Sequence, residues 1–170
     1  CRYLWFGSTL KLNAFTFISE ETEWGWFQAH AYPFDASAST FIVECREETW
    51  LAAGLDKLDP AGSAAFCERL FAGHLQDSTL MVKSGHPRGS AWLNFHRVFC
   101  EKWHYRNAVL IGDAAHTAHF SIGSGTKLAM EDAIALSRAI NACGEHDITE
   151  ALEAYQTERS QEVLRLQSAA

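Results

Sequence analysis

The sequence predicts an α+β chain in which an antiparallel sheet lobe, residues 1–100, precedes a helix-rich lobe, residues 101–170. Three observations carry that prediction. Apolar and aromatic residues alternate with a period of two through much of the first 45 residues, and after Glu47 they recur at helical spacing. A short apolar run ends at Gly112-Asp113 and passes through small residues into a glycine-opened helix. The composition is that of a folded chain, with 48% hydrophobic and 21% charged residues, and this length can bury roughly two thirds of its unfolded surface.

Each element has its own signal. Residues 1–6 read as a strand, and residues 12–19 alternate with Phe15 and Phe17 on one face. In the next segment Trp24, Trp26, Gln28, His30 and Tyr32 share one face while Phe27 and Ala29 share the other. Residues 39–45 are β-branched and aromatic. Turn-like residues at 7–9, 20–23 and 33–37 join these segments, which predicts a four-stranded antiparallel meander. Residues 47–53 suit a short helix stopped by Gly54. Asp59-Pro60 opens another, with Asp as cap and Pro at the first helical position, and Phe66, Leu70 and Phe71 form its apolar side. Residues 83–89 read as a loop, 91–100 return to alternation, and 107–112 form a short buried strand. A helix follows over about 126–141. Asp147 with Glu150 makes a capping box for the last helix, whose Ile148, Leu152, Tyr155 and Val163 lie on one face.

Composition also excludes partners. The net charge is -7 and no stripe of Lys and Arg forms, which argues against nucleic acid and anionic membrane surfaces. No apolar run approaches the roughly 18 residues that span a bilayer. Cys1, Cys45, Cys67, Cys100 and Cys143 are odd in number and never spaced as C-x-x-C. Such usage predicts core thiols in a reducing cytoplasm rather than a disulfide framework or zinc knuckle. The chain opens directly in a strand, with neither Met nor a signal-peptide layout.

Residues 108–133 hold the chemistry. Gly112-Asp113 leaves a carboxylate at the end of a strand, and Gly123-Ser124-Gly125 opens a helix whose first amides are unpaired and carry positive dipole. A carboxylate for hydroxyls followed by a helix start for an anion suits a sugar-phosphate cofactor. Plainer readings stand beside this one. Asp113 as a cap of its turn is the weaker alternative, and His116 reads better as a structural turn residue than as a catalyst. Lys127 suits a solvated helix position, and the Trp and Tyr stripe is more often core than pocket. Asp113, His116 and His119 also form D-x-x-H-x-x-H, the composition of a two-His, one-carboxylate metal site. Turn character across 112–121 disfavours that arrangement. A sheet-and-helix interaction body without activity is a third class.

Gly112-Asp113-Ala114-Ala115-His116 resembles the flavin-ribityl motif of the para-hydroxybenzoate hydroxylase class of flavoprotein monooxygenases. Residues 118–133, with 3–7, 40–45 and 92–95, are similar to its salicylyl-coenzyme A hydroxylase and anthraniloyl-coenzyme A monooxygenase branch. The resemblance implies an antiparallel substrate lobe, then the C-terminal part of a Rossmann-like FAD-binding lobe and C-terminal helices. It implies FAD, with NADH or NADPH as co-substrate, O2, and a small aromatic substrate such as an aryl-coenzyme A thioester. Gly112 and Asp113 would take the ribityl chain. Gly123, Ser124, Gly125, Thr126 and Lys127 would lie along the flavin, their amides facing its pyrimidine edge. His119 and Phe120 would sit at the reactive edge as the catalytic pair. Trp26, Gln28, His30 and Tyr32 would wall the ring pocket, while Lys83, His86 and Arg88 suit a wet loop better than coenzyme A phosphates. Two departures stand out: His119-Phe120 and Lys127 replace the family's usual prolines and Asn. The G-x-G-x-x-G start and the second Asp-Gly motif are absent. The expectation is therefore an internal piece that docks on an N-terminal FAD-binding half, with homo-oligomers open, and that is inactive and binds FAD poorly by itself.

Overall fold

A computed structural model describes residues 1–82, 91–144 and 148–169. The loop expected at 83–89 and the Asp147 cap lie outside the described residues. The chain divides into two compact units, residues 1–95 and 96–170.

The first unit is built on β1 (Arg2–Ser8), β2 (Thr16–Thr22), β3 (Gly25–Pro33) and β4 (Ser39–Cys45), with the short β5 (Leu80–Met81) and β6 (Leu93–Asn94). Strands β2, β3 and β4 form the expected antiparallel hairpins. β1 departs from the meander. It pairs along its whole length with β4, from Arg2 opposite Cys45 to Ser8 opposite Ser39, and gives the order β2-β3-β4-β1. β5 and β6 also pair with β1. Gly7 and Ser8 continue the strand rather than turn it. The buried Ser8 hydroxyl ends it by accepting from the Leu10 amide at 3.1 Å and donating to the Thr79 carbonyl at 3.1 Å.

One sheet face is apolar. Leu4, Phe6, Phe27, Ala29, Ala31, Phe41 and Val43 are buried in a core with Leu55, Ala64, Cys67, Phe71 and Leu75 from the segment that follows β4. Each large apolar side chain there contributes roughly 1.5–3 kcal/mol. That segment holds α1 (Glu47–Ala52), α2 (Pro60–Leu70) and α3 (Ala72–Leu75). Helix α1 stops where expected, with Gly54 left-handed at φ 68°. Helix α2 starts at Pro60, and the Asp59 carboxylate accepts from the Gly62 amide at 2.7 Å. On the other sheet face Trp5, Phe15, Phe17 and Trp26 are all at least half exposed.

The second unit pairs β7 (His104–Tyr105) with β8 (Ala108–Val109) and packs α4 (Gly125–Cys143) against α5 (Ile148–Ala169). Leu128, Ala135, Tyr155, Val163 and Trp103 form its core. The buried strand expected over 107–112 is cut to two residues, and Leu110 and Ile111 stand 36% and 42% exposed. Among the described residues only β7 ladders with it, so an apolar run alone does not bury it. The alternation over 91–100 likewise yields only β6 and a bridge from Phe99 to His116. Ile148 is exposed at the start of α5, and its buried stripe runs instead through Leu152, Tyr155, Arg159 and Val163.

Replacing Asp59 with Ala removes the α2 cap and is expected to cost about 1 kcal/mol. Urea unfolding checks this: the midpoint falls while the slope is unchanged.

Candidate functional site

The second unit holds a turn fixed from beneath. Gly112 opens a 3-10 turn, Gly112–Ala114, at φ 56°, and a Cβ there would lie 3.1 Å from the Ala129 Cβ of α4. Backbone conformation and close helix approach both require glycine. Beneath the turn the fully buried Asp132 of α4 collects three donors. Its Oδ2 accepts from the Gly112 amide at 2.9 Å and lies 2.7 Å from His116 Nε2, while Oδ1 accepts from Arg159 Nε at 2.9 Å. Arg159, on α5, also reaches Glu131 at 3.0 Å, and Glu131 pairs with Lys127 one turn earlier.

Burial pushes the Asp132 carboxyl up, but the hydrogen bonds from His116, Arg159 and Gly112 outweigh it and hold it below the usual carboxylate range. Burial opposes the Arg159 charge as well, and Asp132 and Glu131 more than restore it. The Tyr155 hydroxyl is pushed up by burial and by the Asp132 charge, and it donates to the Leu110 carbonyl at 3.2 Å. Neither Asp132 nor Arg159 was expected at this site. Their signal was a charged residue on an otherwise buried stripe: Asp132 follows Leu128 by four, and Arg159 lies between Tyr155 and Val163.

Above this anchor stand the residues expected to meet a cofactor. Asp113 is exposed on the turn, outside the Asp132 network. The His119 and Phe120 rings stack 4.5 Å apart, and His119 Nδ1 lies 2.6 Å from Ser121 Oγ. A 3-10 turn, Phe120–Ile122, ends at Gly123 with φ 63°. Helix α4 begins at Gly125 with no side-chain cap and no acidic residue in its first turn. Ser124 turns its hydroxyl to the Ile122 carbonyl at 3.2 Å. A Cβ placed on Gly123 or Gly125 would meet nothing within 4 Å, so the approach to the orphan amides is open. Gly123, Ser124, Gly125, Thr126 and Lys127 are thus consecutive around one helix start. The Lys127 ammonium is engaged with Glu131, which leaves its backbone amide as the part at the helix start. His116 is turned to Asp132, and among the described residues the ligand atoms of Asp113, His116 and His119 do not converge on one point.

In the first unit Trp26, Gln28, His30 and Tyr32 do share the β3 face away from the apolar core. Trp26 is 58% exposed, whereas His30 is buried with its Nε2 2.9 Å from Glu44 Oε1. Phe15 stacks on Tyr32 at 5.1 Å, and Phe17 meets the His30 ring edge-on at 4.8 Å. Glu44 and Phe17 were not expected beside them. Register brings them there, since Phe17 and Ile42 flank His30, and Glu44 lies opposite Gln28.

An exposed carboxylate, an open glycine cradle and an acid-free helix start suit the ribityl hydroxyls and electron-rich edge of a flavin. Residues 15–170 match the FAD binding domain family. The chain belongs to that family. The chain is 41% identical over 172 residues to salicyloyl-CoA 5-hydroxylase from a Streptomyces species, covering 99% of the chain and 33% of that relative. It is 38% identical to 3-hydroxy-4-methyl-anthranilyl-[aryl-carrier protein] 5-monooxygenase from Streptosporangium sibiricum, covering 92% of the chain and 39% of the relative. Among solved structures, a probable FAD-dependent monooxygenase from Pseudomonas aeruginosa aligns with a TM-score of 0.66 at 22% identity, over 98% of this chain and 46% of that one. A myxobacterial chondrochloren halogenase aligns with a TM-score of 0.67 at 20% identity, over 98% and 39%. These structures show the fold. The chain spans a third to two fifths of the length of those two curated relatives.

Substituting Asp132 with Ala strands the buried Arg159 and is expected to cost on the order of 3–5 kcal/mol, read by chemical denaturation. The effect depends on pH. The folded-state carboxyl sits below its unfolded value of about 3.9, so the native state binds fewer protons. Its stabilisation is therefore whole above about pH 4 and is lost as pH falls through the folded value. Unfolding of native protein and Asp132→Asn at pH 7 and at pH 3 is expected to show their difference shrinking at the lower pH.

Proposed function

We propose that this chain is part of an FAD-dependent monooxygenase that hydroxylates an aromatic substrate with O2 and NADH or NADPH. The observation that carries the reading is the Gly112-Asp113 turn, tied to Asp132 and followed by an open, uncapped helix start, in a chain of the FAD-binding family. When bound, FAD accepts hydride from the nicotinamide and, once reduced, activates O2 toward the ring. The protein contributes position, charge and dryness. Asp113 accepts hydrogen bonds from the ribityl hydroxyls, while Asp132 holds the Gly112 turn beneath it. The amides of residues 124–127 give the anionic edge of reduced flavin a place at the positive end of α4, while the Gly123 amide closes the preceding turn on the Phe120 carbonyl. His119 and Phe120 form the catalytic edge, where their stacked rings keep water away from the reacting atoms. Trp26, Gln28, His30 and Tyr32 supply the wall for the substrate ring.

Two relatives act on salicyloyl-CoA and on an anthranilyl group held by a carrier protein, which supports an aryl thioester as the substrate here. The exposed Leu110, Ile111, Met130 and Ile134 of the second unit suit docking of the remaining FAD-binding half of a longer protein. The cysteines form no disulfide, which suits a cytoplasmic setting.

The visible spectrum of the full-length parent tests the reading. Oxidised-flavin bands are expected, and Asp113→Ala is expected to weaken FAD binding about 10- to 100-fold, the worth of a charge-assisted hydrogen bond. A flavin-free parent carrying stoichiometric iron or zinc overturns it. The isolated 170-residue chain is expected to bind FAD poorly, and stoichiometric yellow flavin on it would contradict the dependence on a second half.

A further inference from the structure

The second unit contains a hollow that neither the cofactor nor the substrate ring has been assigned. A cavity of about 260 Å³ lies between α5 and the chain on either side of the Gly112 turn. Its floor is Trp103, Ala115, His116 and Val163, none more than 3% exposed, while Phe99 and Leu164 at its rim are 51% and 41% exposed. Protein interiors leave few voids larger than a water molecule, and atoms lining a hollow forgo packing contacts. An apolar cavity of about 150 Å³ takes up benzene. This one has room for a single substituted six-membered ring and falls short of the roughly 300 Å³ at which pockets for drug-sized ligands begin.

The polar groups of the lining narrow the class of ligand. Most are engaged. The Gln156 side chain accepts from the Trp103 amide at 2.8 Å and donates to the Glu101 carbonyl at 3.0 Å, and His116 Nε2 is turned to Asp132. The Ser160 hydroxyl differs. Among the described residues it has no hydrogen-bond partner, whereas Ser168 on the same helix donates to the Leu164 carbonyl at 2.7 Å. One open hydroxyl among apolar walls matches a ligand carrying one hydroxyl. Charge disfavours acids: among the described residues no Lys or Arg lines the cavity, and Glu101 does.

The floor is also the underside of the turn that presents Asp113. The Ala115 and His116 amides both donate to the Gly112 carbonyl, at 2.9 and 3.0 Å, and His116 meets the same Asp132 that holds the Gly112 amide. A ligand packed on Ala115 and His116 restrains that turn. We propose that the cavity is an effector site for a small neutral ring alcohol, and that the alcohol and FAD each strengthen binding of the other. The coupling rests on the reading that the Gly112-Asp113 turn carries FAD, whereas the cavity stands without it.

The test uses the full-length, flavin-loaded parent and cyclohexanol, which has one ring, one hydroxyl and no aromatic carbon to hydroxylate. Titration calorimetry is expected to show one site with a dissociation constant on the order of 1 mM. Saturating cyclohexanol is expected to lower the FAD dissociation constant by about 5-fold or more. In a crystal soaked with the alcohol, its ring is expected beside Ser160. Ser160→Leu and Leu164→Trp fill the cavity and its mouth from partly exposed positions of α5, and each is expected to abolish the calorimetric signal while retaining native flavin content. Absence of binding to the native parent overturns the site whether or not either variant folds. So does binding that persists in a folded variant, or density for the alcohol only elsewhere. Binding that leaves FAD affinity unchanged overturns the coupling. A parent without flavin contradicts the FAD reading instead, and calorimetry on it still decides the site.

Discussion

The second unit depends on a carboxylate that water never reaches. Asp132 joins two stretches of chain far apart in sequence: the 112–116 turn, through the Gly112 amide and the His116 ring, and α5, through the Arg159 guanidinium. A buried charge is tolerated only when its lone pairs are filled, and here a backbone amide, an imidazole and a guanidinium fill them. The turn that presents Asp113 is therefore held by α4 from below and by α5 from the side. Asp113 and Asp132 have opposite tasks: one is exposed and open to a ligand, the other buried and fully engaged.

Glycine completes the arrangement in two different ways. At Gly112 a side chain is disfavoured by the left-handed backbone and by Ala129 pressing close. At Gly125 the backbone tolerates a side chain and nothing nearby would clash with one. What a side chain would occupy there is the approach to the first amides of α4. The first glycine is a demand of packing, and the second leaves room for something outside the chain.

Local chemistry made much of this readable from the sequence. The two-residue period separated Phe27 and Ala29 from Trp26, Gln28 and His30, and it did so correctly because one face of β3 is buried on a core. Asp59-Pro60 and Gly54 marked helix ends through capping and a left-handed backbone, both decided within a few residues. The Gly112-Asp113 turn and its glycine-rich sequel were legible for the same reason. Long-range choices were not. Nothing within residues 1–8 states that β1 prefers β4 to β2, because that choice rests on register over seven pairs. Asp132 and Arg159 sit on otherwise apolar stripes of two helices, and only the packing of α4 on α5 brings them together. Leu110 and Ile111 looked buried because burial depends on a neighbour that a short apolar run cannot specify.

The position of β1 also governs the order of assembly. Strands β2, β3 and β4 close through short connections and can form as soon as they exist. β1 precedes all of its partners in the chain, which lie at residues 39–45, 80–81 and 93–94. During synthesis this apolar strand, with Leu4 and Phe6 destined for the core, must wait about 40 residues for its first partner and about 90 for its last. Such nonlocal pairing slows folding and leaves an unpaired edge exposed in the meantime. The vulnerable interval for this sheet is the one between the synthesis of β1 and that of β4, its longest partner.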